Sequence, residues 1–85
     1  MRIGIGISTH NRYESFKETY KNVKKYAPID AEIVVVDDAS ESPVKEATFR
    51  FEKNQGIAKT KNKLLELLDK CEHIFLFDDD CYQLS

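Results

Sequence analysis

The stretch EIVVVDDAS, residues 32–40, carries the strongest indication of the fold class of this chain. Its apolar residues, 33–36, are followed at once by Asp37 and Asp38. A short β-branched run that is apolar on both faces predicts a central strand of a parallel sheet, because layers on both sides cover such a strand. The stretch therefore indicates an α/β domain, with an acidic pair where one of its central strands ends.

Strands and helices alternate along the rest of the chain. RIGIGIS at residues 2–8 has the two-residue period of a strand, and its glycines leave one face bare for a helix to approach. In residues 13–26 and 57–71, apolar residues recur at steps of three and four, which marks one face of an amphipathic helix. The sequence predicts strands at 2–8, 32–36, 47–51 and 73–77, and helices at 13–26 and 57–71.

This alternation predicts a mostly parallel sheet of about four strands flanked by two helices, a Rossmann-like arrangement, in a single domain over residues 1–85. We expect the strand order 3-2-1-4, with the first strand central. Asp37-Asp38 and Asp78-Asp79-Asp80 then lie along one carboxyl edge of the sheet. The strand order reverses between strands one and four, where α/β sheets bind ligands.

The three consecutive aspartates, 78–80, follow an apolar strand and lie at the same edge as Ser8 and Thr9. Neighbouring carboxylates repel one another, so they either stay in water or are neutralised by a cation. Carboxylate oxygens suit Mg²⁺ or Mn²⁺, and the open positions of such a metal suit phosphate oxygens. A solvated acidic turn is the ordinary interpretation of an isolated DDD; the position after a buried strand favours a metal site.

Composition excludes several classes of function. The formal net charge of −2 argues against nucleic acid as a partner, since nucleic-acid binding calls for clustered positive charge. No apolar run exceeds four residues, which predicts no transmembrane segment and no signal peptide. Cys71 and Cys81 are expected to be free thiols, so we expect a cytoplasmic protein. Gly4 and Gly6 lie inside a strand, so they are not a dinucleotide fingerprint.

Four blocks of sequence carry a resemblance to a known family: ISTHNR at 7–12, EIVVVDDAS at 32–40, NQGIAKTKN at 54–62 and FLFDDDC at 75–81. Together they resemble the nucleotide-binding half of family 2-type GT-A glycosyltransferases, over essentially the whole chain. The first is similar to a PTYNR-like turn, with Ser8 for proline and His10 for the aromatic residue. The others are similar to EIIVVDDGS, to NxGxAxARN with Lys61 for its arginine, and to the strand before a DxD motif.

The resemblance implies a set of residues that contact a nucleotide sugar: Thr9, Asn11, Arg12, Asp37, Asp38, Lys61, Asp78 and Asp79. Within it, Thr9 meets the nucleoside, Asp37 contacts the nucleobase and Lys61 lies near the base and the phosphates. Asp78 and Asp80 bracket the DxD motif and are the implied ligands of Mn²⁺ or Mg²⁺ on the diphosphate. Asp80 reaches the metal, and Asp78 also faces the ribose.

The activity implied is metal-assisted glycosyl transfer from a nucleoside diphosphate sugar, with a UDP-sugar favoured, to an unassigned acceptor hydroxyl. The family resembled carries its acceptor site and the catalytic base of its inverting members downstream of the DxD motif. The sequence ends five residues after Asp80. We therefore expect weak or absent transfer by these 85 residues alone, and no catalytic residue is assigned.

The sequence is also compatible with two other classes of function. One is a receiver-like phosphotransfer domain that binds Mg²⁺, although such a domain places its acidic pair after the first strand, which here ends in Ser8-Thr9. The other is a non-catalytic nucleotide-binding, metal-binding or scaffold module. A homodimer is also possible, because a small sheet exposes its edges.

Overall fold

A computed structural model describes residues 2–78 of the chain. Within them, four strands form one sheet in the order β3-β2-β1-β4, and each neighbouring pair is parallel. The strands are β1 (Ile3–Thr9), β2 (Glu32–Asp38), β3 (Phe49–Phe51) and β4 (His73–Asp78), and the helices are α1 (Tyr13–Tyr26) and α2 (Ile57–Leu67). The predicted α/β fold and its strand order are therefore confirmed.

Two predicted elements are shorter in the structure than in the sequence analysis. The strand predicted at 47–51 begins at Phe49, because Ala47 lies in a turn in which its N–H donates to the carbonyl of Val44 at 3.1 Å. The helix predicted at 57–71 ends at Leu67, and a turn follows in which the Cys71 N–H donates to the Leu68 carbonyl at 2.9 Å. The apolar spacing extends beyond the observed start of β3 and the observed end of α2, so a prediction from spacing alone made both elements too long.

The sheet is packed on both faces, and each helix covers one of them. On the α1 face, the buried cluster consists of Ile7, Phe16, Val35 and Val44. On the α2 face, it consists of Val34, Val36, Leu64 and Leu68. β2 contributes valines to both clusters, which explains why its sequence is apolar without alternation.

The glycines of β1 let α2 lie directly against the sheet. A Cβ atom at Gly6 would lie 3.2 Å from the Cβ of Leu64, and one at Gly4 would lie 2.9 Å from the Cδ2 of Leu68. Both distances are shorter than an ordinary van der Waals contact. The expected close approach of a helix to the bare face is thus confirmed.

The parallel register brings together the carboxyl ends of β1, β2 and β4, which carry polar side chains. Thr9 of β1 pairs with Asp37 of β2, and Ser8 pairs with Asp78 of β4. The strand order reverses at β1, so its carboxyl end faces the crevice between β1 and β4. Neither helix among residues 2–78 is long and apolar enough to cross a bilayer.

Candidate functional site

A pocket of about 370 Å³ opens at the carboxyl edge of the sheet, beside the point where the strand order reverses. Ser8, Thr9 and Asp78 line it from the strand side. The Ser8 hydroxyl donates to a carboxylate oxygen of Asp78 across 3.1 Å, which joins β1 to β4 at this edge. The sequence predicts one crevice for Ser8, Thr9 and Asp78–Asp80, and the structure confirms it for the three of these residues that it describes.

The turn between β1 and α1 forms a second wall of the pocket. His10 and Arg12 line it, so a cationic residue stands on this wall of a pocket that also contains acidic residues. Asn11, a predicted ligand contact, is not among the lining residues. Its backbone has a φ of 54°, and its N–H donates to the Ser40 hydroxyl at 2.9 Å while its side-chain oxygen accepts from the Glu41 N–H at 2.6 Å.

Asp38 connects the end of β2 to the start of α2. Its two carboxylate oxygens accept hydrogen bonds from the backbone N–H groups of Gln55, at 2.7 Å, and Gly56, at 3.0 Å. Asp38, Gly56 and Thr60 all line the pocket. The negative charge of Asp38 therefore lies at the N-terminus of α2, where the helix dipole stabilises it.

Asp37 is the neighbour of Asp38 but points elsewhere. Its side chain is completely buried, and its oxygens accept from the Ser40 N–H at 3.0 Å and the Val44 N–H at 3.1 Å. Arg50 lies 3.7 Å from the same carboxylate. Asp37 is not among the residues that line the pocket, so its implied contact with a nucleobase stays a prediction.

Lys61 is also absent from the lining of the pocket, although Thr60, one residue earlier in α2, is present. Asp79 and Asp80 lie outside the described residues. Among residues 2–78, no group of three or more His, Cys, Asp or Glu side chains is placed to hold a metal. Within that part of the chain, the predicted metal site is represented by Asp78 alone.

Five residues that line the pocket had no site role assigned from the sequence: His10, Asn54, Gly56, Ile57 and Thr60. Asn54 stands at the start of the NQGIAKTKN block, so that block marked the right segment without identifying this side chain. Thr60 is almost fully buried, and its hydroxyl donates to the Gly56 carbonyl at 2.7 Å within the first turn of α2. A threonine that bonds back into a helix leaves no signature in the sequence.

A parallel sheet with a polar pocket at its reversal point is the architecture in which open α/β proteins bind nucleotides. The family model of glycosyl transferase family 2 matches residues 5–83. The chain belongs to this family, and its fold is of the glycosyltransferase type. No curated protein and no solved structure matches the chain.

Proposed function

We propose that this domain binds the donor substrate of a glycosyl transfer, a nucleoside diphosphate sugar, in the pocket between β1, β4 and the start of α2. The observation that carries the proposal is the position of Asp78. Its carboxylate lines the same pocket as the hydroxyl residues Ser8 and Thr9, at the reversal of strand order. Membership of glycosyl transferase family 2 supports a nucleotide sugar as the ligand.

The chemistry of the donor set fits a hard divalent cation. Asp78 offers a carboxylate at the pocket, and Asp80 follows it by two residues. Mg²⁺ and Mn²⁺ are commonly held by one or two carboxylates together with substrate phosphates. We propose that Asp78 and Asp80 hold such a cation. When bound, it supplies Lewis-acid stabilisation of the charge that develops on the departing diphosphate.

The two carboxylates at the pocket suggest how the donor is oriented. Asp38 already neutralises the N-terminus of α2, and a second anion beside it would be repelled. The diphosphate is therefore directed away from Asp38, toward Asp78 and its cation. The nucleoside is left on the Asp38 side, where a carboxylate can accept hydrogen bonds from hydroxyl or N–H groups. Arg12, on the pocket wall, adds positive charge for the phosphates.

The proposal covers donor binding. Within residues 2–78 we assign no side chain to the acceptor or to a catalytic base. What the described residues do is bind the nucleotide, orient its diphosphate toward Asp78 and position the start of α2 beside it.

Titration calorimetry with UDP, GDP and ADP, each with and without Mn²⁺, tests this function. We expect one nucleoside diphosphate to bind at least about tenfold more tightly with Mn²⁺ than without it, because a cation shared by carboxylates and phosphates needs to add only about 1.4 kcal/mol for a tenfold change in affinity. Asp78→Ala and Asp80→Ala should lose that gain. Asp69→Ala, which changes an exposed aspartate after α2, is the matched control and should keep it.

Each outcome bears on a different part of the proposal. If no nucleotide binds at millimolar concentration, the donor-binding function is rejected. If a nucleotide binds equally well with and without Mn²⁺, the cation is rejected and nucleotide binding stands. Covalent labelling by acetyl phosphate would favour a receiver-like domain instead.

A further inference from the structure

We infer that His10 is a positioning residue of the nucleotide pocket: as the neutral tautomer with its proton on Nδ1, it ties the turn after β1 to the end of β2 and to the turn before α2. The family resemblance marks His10 only as a departure, since an aromatic residue is usual there. The inference concerns the shape of the pocket, and it rests on the proposed function only where nucleotide affinity is measured.

The proton on Nδ1 follows from the partner of that atom. Nδ1 of His10 lies within hydrogen-bond distance of the backbone carbonyl of Asp38. A carbonyl oxygen can only accept a hydrogen bond, so Nδ1 must carry the hydrogen and donate it. This bond joins the residue that follows β1 to the last residue of β2.

The lone pair on Nε2 follows from two side-chain amides. The NH₂ group of Asn54 lies 3.2 Å from Nε2, and the NH₂ group of Asn11 lies 3.3 Å from it. Amide nitrogen and oxygen are easily interchanged in a structure, so their orientation needs independent evidence. That evidence is present: the oxygen of Asn54 accepts from the Gly56 N–H at 3.0 Å, and the oxygen of Asn11 accepts from the Glu41 N–H at 2.6 Å.

Because both amide oxygens are engaged by backbone N–H groups, both NH₂ groups are turned toward His10. Nε2 must then be the acceptor. The ring is a donor at one nitrogen and an acceptor at the other, which is the neutral Nδ1–H imidazole. Neither a lysine nor an apolar side chain of similar size could make both kinds of bond.

The consequence for the pocket is carried by Asn54. When its NH₂ group is held by His10, its oxygen is directed at the Gly56 N–H, which Asp38 also binds. Gly56 precedes the first residue of α2 and has a φ of 87°, a conformation that glycine adopts readily but does not by itself fix. The hydrogen bonds from its N–H to Asn54 and Asp38 therefore help to hold the turn at the start of the helix. His10 therefore acts on the ligand through the position of this turn.

The tautomer is tested without any ligand. In the full-length chain labelled with ¹⁵N-histidine, NMR at neutral pH should show Nδ1 of His10 as the protonated nitrogen and Nε2 as the unprotonated one. His73, which is exposed at the start of β4, is the internal reference. A His10 ring that is protonated on Nε2 alone, or on both nitrogens, would overturn the inference even if every nucleotide bound.

Positioning is tested by hydrogen exchange at the Gly56 amide and by nucleotide affinity in variants. His10→Leu fills a similar volume but makes neither bond, so exchange at Gly56 should quicken and affinity for the best-binding nucleoside diphosphate should fall, each about fivefold for the loss of a neutral hydrogen bond. His10→Gln keeps an acceptor for Asn54 and should recover most of both effects. His73→Leu is the matched control and should change neither.

A double-mutant cycle separates action through Asn54 from a direct contact with the ligand. If His10 works through Asn54, the variant with both His10→Leu and Asn54→Ala should lose about as much affinity as the worse single variant. Losses that multiply would overturn the positioning role, as would a His10→Leu variant with unchanged exchange at Gly56. If no nucleotide binds at all, the proposed function fails, and the tautomer and the exchange rates still decide this inference.

Discussion

Replacing Asp37 by asparagine tests whether the first aspartate of the acidic pair supports the fold or the ligand. The side chain is completely buried, and each of its oxygens accepts one backbone N–H, from Ser40 and from Val44. Asparagine has nearly the same shape but only one accepting oxygen. In either orientation of the amide, its NH₂ group faces one of the two N–H donors.

The loss of stability expected for Asp37→Asn follows from these contacts. A hydrogen bond to a charged group contributes about 1.5–3 kcal/mol, and a buried donor left without a partner costs about 1–3 kcal/mol. Arg50 adds little, because it lies 3.7 Å away and its side chain is 35% exposed. We expect Asp37→Asn to lower the free energy of unfolding by about 3 kcal/mol, a large part of the roughly 4–13 kcal/mol typical for a chain of this length.

Urea unfolding followed by circular dichroism measures the effect. With a denaturant slope of about 1 kcal/mol per molar urea, the midpoint should fall by about 3 M. Asp69→Asn changes an exposed aspartate and should leave the midpoint unchanged. A loss below about 1 kcal/mol for Asp37→Asn would refute the structural role. If nucleotide affinity then fell in that stable variant, the nucleobase contact implied by the family resemblance would be favoured instead.

Two further predictions concern stability. Gly6→Ala should lower the free energy of unfolding, measured in urea, by about 1 kcal/mol or more. The new methyl group would lie 3.2 Å from the Cβ of Leu64 on α2, and overpacking of this kind costs about 1–3 kcal/mol. An unchanged or higher urea midpoint would contradict the close packing. The pKa of Tyr13 is raised above its ordinary value of 10.0, mainly by partial burial and next by a hydrogen bond from its hydroxyl to Glu46. The folded chain therefore holds the phenolic proton more tightly than the unfolded chain. The stability gained is fully present below pH 10 and is lost as the pH rises through the folded-state pKa. In that pH range, the urea midpoint of the wild-type chain should therefore fall more steeply than the midpoint of Tyr13→Phe. Parallel pH profiles of the two midpoints would argue against a raised pKa.

The fold was predictable because its main determinants are local in sequence. The apolar run of β2 and the alternation of β1 give the strands, and the spacing of apolar residues in 13–26 gives α1 with its observed bounds. Parallel pairing then follows from the alternation of strands and helices. The start of β3 after Ala47 and the end of α2 before Leu68 were predicted wrongly. Turns closed by backbone hydrogen bonds set these two boundaries, and the spacing of apolar residues carries no information about such turns.

The site was only partly predictable. The sequence placed Ser8, Thr9 and Asp78 in one crevice, since strand order and strand ends suffice to bring them together. It could not separate Asp37 from Asp38, because adjacent residues of a strand point to opposite sides and only the packed loops show which side is the pocket.

The existence and order of the strands and helices, and the edge of the sheet where acidic side chains lie, could be read from the sequence, because the two-residue period of strands and the 3.6-residue period of helices are set by residues close together in the chain. The hydrogen-bond partners of the polar side chains became known from the folded structure: Asp37 bonds to the loop after β2, Asp38 to the start of α2, and His10 to Asn54. These partners are distant in the chain, and a hydrogen bond forms only where folding brings a donor within about 3 Å of an acceptor.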